Sequence, residues 1–166
     1  MNRYLLVLVC AVLTFSAHIS FASSPKKEAA QWKYDIECAG TGSEGTFLVK
    51  IWTYSNKAVI PNEEAKKNAV HGVLFRGFAA NGVGCVSQRP LIKDASVQHE
   101  KADYFNTFFG KESPYLKYAS ISSSVPEVIK VSKKEYKVGY VVSVSKDLLR
   151  KDLEVAGIVK SLSAGF

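Results

Sequence analysis

Two stretches of alternation constrain this chain more than any other feature. In "WKYDIEC" (residues 32–38) Trp32, Tyr34, Ile36 and Cys38 alternate with Lys33, Asp35 and Glu37. In "YKVGYVVSV" (136–144) Val138, Tyr140, Val142 and Val144 share one face. A period of two sends successive side chains to opposite faces of a pleated strand, so each stretch reads as a strand with one face turned to a core. Each also has a partner close by. "TFLVKIWTY" (46–54) follows the first across the glycine-rich "AGTGSEG", and "EVIKVS" (127–132) precedes the second across Lys133-Lys134-Glu135. Strand pairs joined by such turns predict two antiparallel hairpins.

Between the hairpins the period changes. In "IPNEEAKKNAVHGVLFRGF" Ala65, Ala69 and Val73 recur with Val70 and Leu74 at helical spacing, which predicts a helix over 62–76. Asn62 is placed to cap it, Glu63 and Glu64 suit its positive end, and Gly77 ends it. Gly72 inside the helix costs ~1 kcal/mol relative to alanine and marks a close approach to the sheet. A second helix is expected over 99–110, with Tyr104, Phe105, Phe108 and Phe109 on one side. "KESPYLKYASISSSVP" reads as turns. A last helix is expected over 146–156, capped by Ser145, with Leu148, Leu149, Leu153 and Ala156 as its apolar face and Gly157 as its stop. The order ββα–loop–αββα gives an α+β fold, an antiparallel sheet built from two β-hairpins with helices packed on one face. A hydrophobic content of 47% is enough for a packed core in one domain over 32–166.

Residues 1–22 have the layout of a secretory signal peptide, with Arg3, an apolar run from Leu5 to Phe15, and small Ser20 and Ala22 before an expected cleavage at Ser23. The run falls short of the ~20 residues a membrane-spanning helix needs. A lipid anchor at Cys10 is disfavoured, because Val9 is bulky and Cys10 lies inside the run. Residues 23–31 form a polar lead-in. The expected location is therefore outside the cytoplasm, periplasmic or associated with the outer envelope, with no transmembrane segment in the mature chain.

The net charge is +7, but the lysines are scattered rather than striped. That argues against nucleic acid and for a solvated basic surface. "AGTGSEGT" (39–46) lacks the lysine and following helix of a phosphate loop, and no serine sits in a nucleophile elbow. Cys85 with His71 or His99 is the nearest approach to a nucleophile and its base. The competing reading makes His71 a packed helical histidine and pairs Cys85 with Cys38 in a disulfide. That bond would close a loop of roughly 47 residues, ~4 kcal/mol in the chain-entropy description. Two inert thiols remain a third possibility. Glu37 with Glu44, or Glu63 with Glu64, are the acidic pairs a glycan hydrolase could use. The histidines and cysteines have no metal-ligand spacing, and no cofactor motif is present.

The segments "KYDIECAGTGSEGTFLVKIWTYS", "AKKNAVHGVLFRGF" and "YKVGYVVSVSKDLLRKDLEVAGIVKSL" together resemble a group of uncharacterised secreted envelope proteins of the Bacteroidetes, over about residues 33–162. The resemblance implies an envelope location and brings no catalytic residues with it. Three functional expectations stand. The first is a non-enzymatic component that binds another envelope protein or joins an assembly. The second is a small cell-wall or glycan hydrolase using Cys85 or an acidic pair. The third is a small-molecule or lipid carrier with a pocket lined by Tyr104, Phe105, Phe108 and Phe109.

Overall fold

Val138, Val142 and Val144 are fully buried and Tyr140 nearly so, as their alternation requires. They lie on the longest strand, and the sheet is built around it. The computed structural model describes residues 32–161, positions 83 and 124 excepted. The expected signal peptide (1–22) and lead-in (23–31) lie outside the described residues. In chain order the elements are β1 (Tyr34–Gly40), β2 (Phe47–Ser55), α1 (Asn62–Phe75), α2 (Ser96–Glu100), α3 (Ala102–Phe108), a 3-10 turn (Pro114–Tyr118), β3 (Ala119–Ile121), β4 (Glu127–Ser132), β5 (Glu135–Val144) and α4 (Lys146–Val155). Every pairing is antiparallel. β1 pairs with β2, β2 with β5, and the far side of β5 takes both β3 and β4. The α+β class expected from the sequence is the one observed, with the two hairpins joined through β2 and β5 into one five-stranded sheet.

The register stacks the inward side chains in rows: Cys38, Val49 and Val142; Ile36, Ile51 and Tyr140; Tyr34, Thr53 and Val138. α1 lies across these rows and buries Ala65, Ala69, Val70, Val73 and Leu74 against them. Gly72 is where helix and sheet come closest, because a Cβ there would stand 2.6 Å from Ile36 Cδ1. A buried polar pair between them is satisfied, Asn68 Nδ2 donating to Thr53 Oγ1 at 2.9 Å. At the end of α1, Gly77 turns the chain with φ 66°. The unpaired carbonyls of Val73 and Leu74 are then taken by the N–H groups of Leu91 (3.1 Å) and Ile92 (2.9 Å).

Several local expectations are corrected. Asn62 is the first helical residue rather than the cap. Pro61 holds the cap position, and its carbonyl accepts from the N–H of Glu64 at 3.1 Å. Ser145 does precede α4, but its hydroxyl makes no capping bond; the Gly45 carbonyl of the β1–β2 turn instead accepts the Asp147 N–H at 3.2 Å. Leu148 is 45% exposed and Ala156 is exposed, so α4 buries only the narrow line of Leu149 and Leu153. The single helix expected over 99–110 is two short ones. It begins early because the Asp94 carboxylate accepts the Ser96 N–H at 2.9 Å, and nothing about the Lys101 side chain explains the break. The stretch read as turns contains a 3-10 turn that buries Tyr115 and Tyr118, followed by β3 on Val142–Val144.

The opposite face of the sheet carries Trp52, which is only 7% exposed. Its ring lies on Gly139, where a Cβ would meet it at 2.6 Å. The Lys50 ammonium sits 4.4 Å and that of Lys137 5.3 Å from the ring centroid, and its Nε1 donates to Glu37 Oε1 at 2.6 Å. Cross-strand pairs of Lys50 with Glu127 (2.6 Å) and Lys137 with Asp35 (2.9 Å) tile the rest.

Candidate functional site

Cys85 and His71 are not brought together as a nucleophile and base. Cys85 Sγ is bonded to Cys38 Sγ, with the two Cα atoms 5.7 Å apart, so neither cysteine carries a free thiol. His71, on the buried face of α1, has its ring in an aromatic box. It stacks on Trp32 with centroids 3.6 Å apart, and Phe75 and Phe109 close the sides at 5.0 and 5.8 Å. Its Nδ1 is hydrogen-bonded to Tyr34 Oη at 2.6 Å, while Nε2 has no partner among the described residues. Burial first, and the nearby Arg76 and Lys67 charges second, hold its pKa down at about 3. Burial likewise pushes the Tyr34 hydroxyl upward. The imidazole is neutral and 4% exposed. With its pKa lowered so far it is a poor proton acceptor, and its ring is shut in among Trp32, Phe75 and Phe109.

The acidic residues are similarly placed for structure. Glu37 accepts from Trp52, Glu44 lies in the β1–β2 turn, and Glu63 and Glu64 are exposed on the first turn of α1. Of the four aromatics proposed as a pocket, Phe105 and Phe109 fill the core. Tyr104 and Phe108 border a 250 Å³ hollow with Lys117 and Asp152. Among the described residues no three His, Cys, Asp or Glu side chains stand together as a metal site requires, and no helix is long and apolar enough to cross a membrane.

The two edges of the sheet differ. A sheet edge exposes N–H and C=O groups that can accept a further strand, and proteins blunt such edges when no strand is wanted. The β1 edge is blunted. Arg76 donates from Nη1 to the Tyr34 carbonyl (2.5 Å) and from Nη2 to that of Trp32 (2.8 Å), with its guanidinium 4.0 Å over the Tyr34 ring. Further along, the disulfide and the Thr41 hydroxyl, which donates to the Gly84 carbonyl at 3.0 Å, bind the 78–88 loop to β1. That loop is closed at its base by paired bonds between Phe78 and Gln88.

Among the described residues nothing pairs with the outer edge of β4. β4 pairs with β5 alone among the described strands, and all six of its residues are exposed. Val128, Ile129 and Val131 are 46, 49 and 50% exposed, and Val125 just before them 77%. Glu127 is engaged by Lys50 and Glu135 by Lys33. Lys133 and Lys134 in the turn have no ion-pair partner among the described residues, and Lys130 lies 5.9 Å over the Tyr136 ring. No recognised motif marks this edge in the sequence. The signal lay in "VPEVIKVS", a strand with apolar residues on both faces, preceded by proline and followed by lysines.

No family model matches the chain, and no curated protein and no solved structure matches it.

Proposed function

We propose that this chain is an exported, non-enzymatic interaction component of the cell envelope, and that it binds an extended, acidic segment of another protein as an added strand along β4. The inequality of the two sheet edges carries the reading: among the described residues β1 is capped by Arg76 and a disulfide-held loop, and β4 has no strand on its outer side and exposes valine and isoleucine. Strand addition draws affinity from main-chain hydrogen bonds and specificity from alternate side chains. Val128 and Lys130 would meet one face of the incoming segment, Ile129 the other. The hairpin's two glutamates are already engaged, so its free charge is lysine, and acidic residues in the partner complement it. The signal-like layout of residues 1–22 and the cystine within the fold support a location outside the cytoplasm. A hydrolase is disfavoured by the bonded Cys85 and the enclosed His71.

The test is crosslinking in the producing cell. A photoreactive residue at Ile129 or Val131 should capture the same partner, and Lys133→Glu with Lys134→Glu should abolish capture. A probe at the exposed Lys151 of α4 should not capture it. Equal capture from Lys151, or none from either β4 position, would contradict the proposal.

A further inference from the structure

A second site lies away from the sheet edge, where the 91–97 segment meets the 158–160 segment. Gly157, with φ 66°, closes α4 in a Schellman turn: its N–H donates to the Glu154 carbonyl at 3.1 Å and the Ile158 N–H to that of Leu153 at 2.9 Å. The turn throws Ile158 and Val159 back across the molecule. Opposite them, Leu91 and Ile92 are fixed by their bonds to the last carbonyls of α1. With Val97 of α2 these side chains line a groove of 510 Å³, a volume in the range of small-ligand sites. Its floor is apolar; Ile92 is buried and the other four are half-buried.

The groove's charge is unbalanced. Lys93 and Lys160 line it, are exposed, and have no ion-pair partner among the described residues. Arg150 joins them. Its Nε is 2.9 Å from Glu154 Oε1, but the N–H is not aligned for a hydrogen bond, and its terminal nitrogens form none among the described residues. The acid on the lining, Asp94, is turned onto the Ser96 N–H at 2.9 Å. An apolar trough whose rim carries two unpaired lysines against one carboxylate asks for one kind of occupant, a hydrocarbon chain that removes the floor from water and an anionic head that meets the lysines. A neutral lipid would leave the lysines unused, and a small anion would leave the floor wet.

We propose that this groove binds a single-chain anionic amphiphile, a hydrocarbon chain ending in a carboxylate. The site is independent of the β4 edge, and its failure would leave the strand-addition reading untouched.

Isothermal titration of the purified full chain with dodecanoate, dodecanol and dodecylamine, each below its aggregation limit, tests the proposal. Dodecanoate should bind saturably and more tightly than either of the others. The pair Lys93→Glu and Lys160→Glu, both on the surface, should weaken dodecanoate about tenfold, the scale of two partly exposed ion pairs, without moving the melting temperature. Ile158→Ala should weaken all bound ligands alike. Dodecanol or dodecylamine binding as tightly as dodecanoate, dodecanoate binding indifferent to the lysine reversal, or no dodecanoate binding at all would overturn it.

Discussion

Lowering the pH from neutrality offers a proton to His71 in the unfolded chain long before the native chain accepts it. In the fold the ring is stacked on Trp32 and bonded to Tyr34, and burial, then Arg76 and Lys67, lower its pKa from 6.5 to about 3. A native value below the unfolded one means that the unfolded state binds more protons between the two. Stability is therefore complete above pH 6.5 and is lost progressively as the pH falls toward 3. Integrated for one site, the loss is roughly 2 kcal/mol by about pH 5 and roughly 4 kcal/mol by about pH 3. That is a large part of the ~5–15 kcal/mol that stabilises a domain of this kind. Asp35, Asp94 and Asp152 have pKa values lowered from 3.8 in the fold, so their contribution is lost only further into acid. Urea titrations followed by tryptophan fluorescence at a series of pH values would measure the slope, with His71→Gln as the comparison. The variant should start less stable by ~1–3 kcal/mol, because the buried Tyr34 hydroxyl loses its fitted partner. Its stability should then hardly change between neutrality and about pH 5. Equal slopes for the two proteins over that interval would refute the argument.

Gly72→Ala should destabilise by ~1–3 kcal/mol despite alanine's better helix propensity, because the new methyl meets Ile36 Cδ1 at 2.6 Å. Adding Ile36→Val should recover part of the loss in a double-mutant cycle. Cys85→Ser opens a loop with a sequence separation of 47 and should cost ~4 kcal/mol in thermal or chemical unfolding. Crosslinking from β4 should survive that change, whereas an essential thiol would be exposed by loss of function at unchanged stability. Val142→Asp places an unpaired charge at a fully buried position on β5 and should leave no cooperative unfolding transition by circular dichroism.

Much of the sheet was legible because burial on one face imposes a period of two, visible at Tyr34, Ile36 and Cys38 and again from Val138 to Val144. β3 escaped notice because three residues cannot display a period. Ala119 is held there by the buried Tyr115 and Tyr118 and by β5, all distant in sequence or silent in pattern. The α4 face was drawn too wide because a run of apolar residues does not say how broad a stripe the core accepts, and the core takes only Leu149 and Leu153. Cys38 and Cys85 could be proposed as partners from composition, but only the packing of α1 across β1 and the closed base of the 78–88 loop bring their Cα atoms within bonding reach. The candidate interaction edge was least legible of all. Its openness depends on what β4 lacks on its far side, and on Arg76 reaching back to the carbonyls of Trp32 and Tyr34, a contact that no local pattern announces.

The difference between the two sheet edges can be read directly by backbone amide hydrogen exchange at single-residue resolution. In the free protein the outward N–H groups of β4 should exchange quickly. Adding a blocked peptide of alternating valine and glutamate should slow them and leave β1 unchanged, and the effect should fade with salt and vanish in Lys133→Glu/Lys134→Glu. Outward β4 amides already protected in the free chain, or a peptide that protects β1 and not β4, would contradict strand addition along this edge.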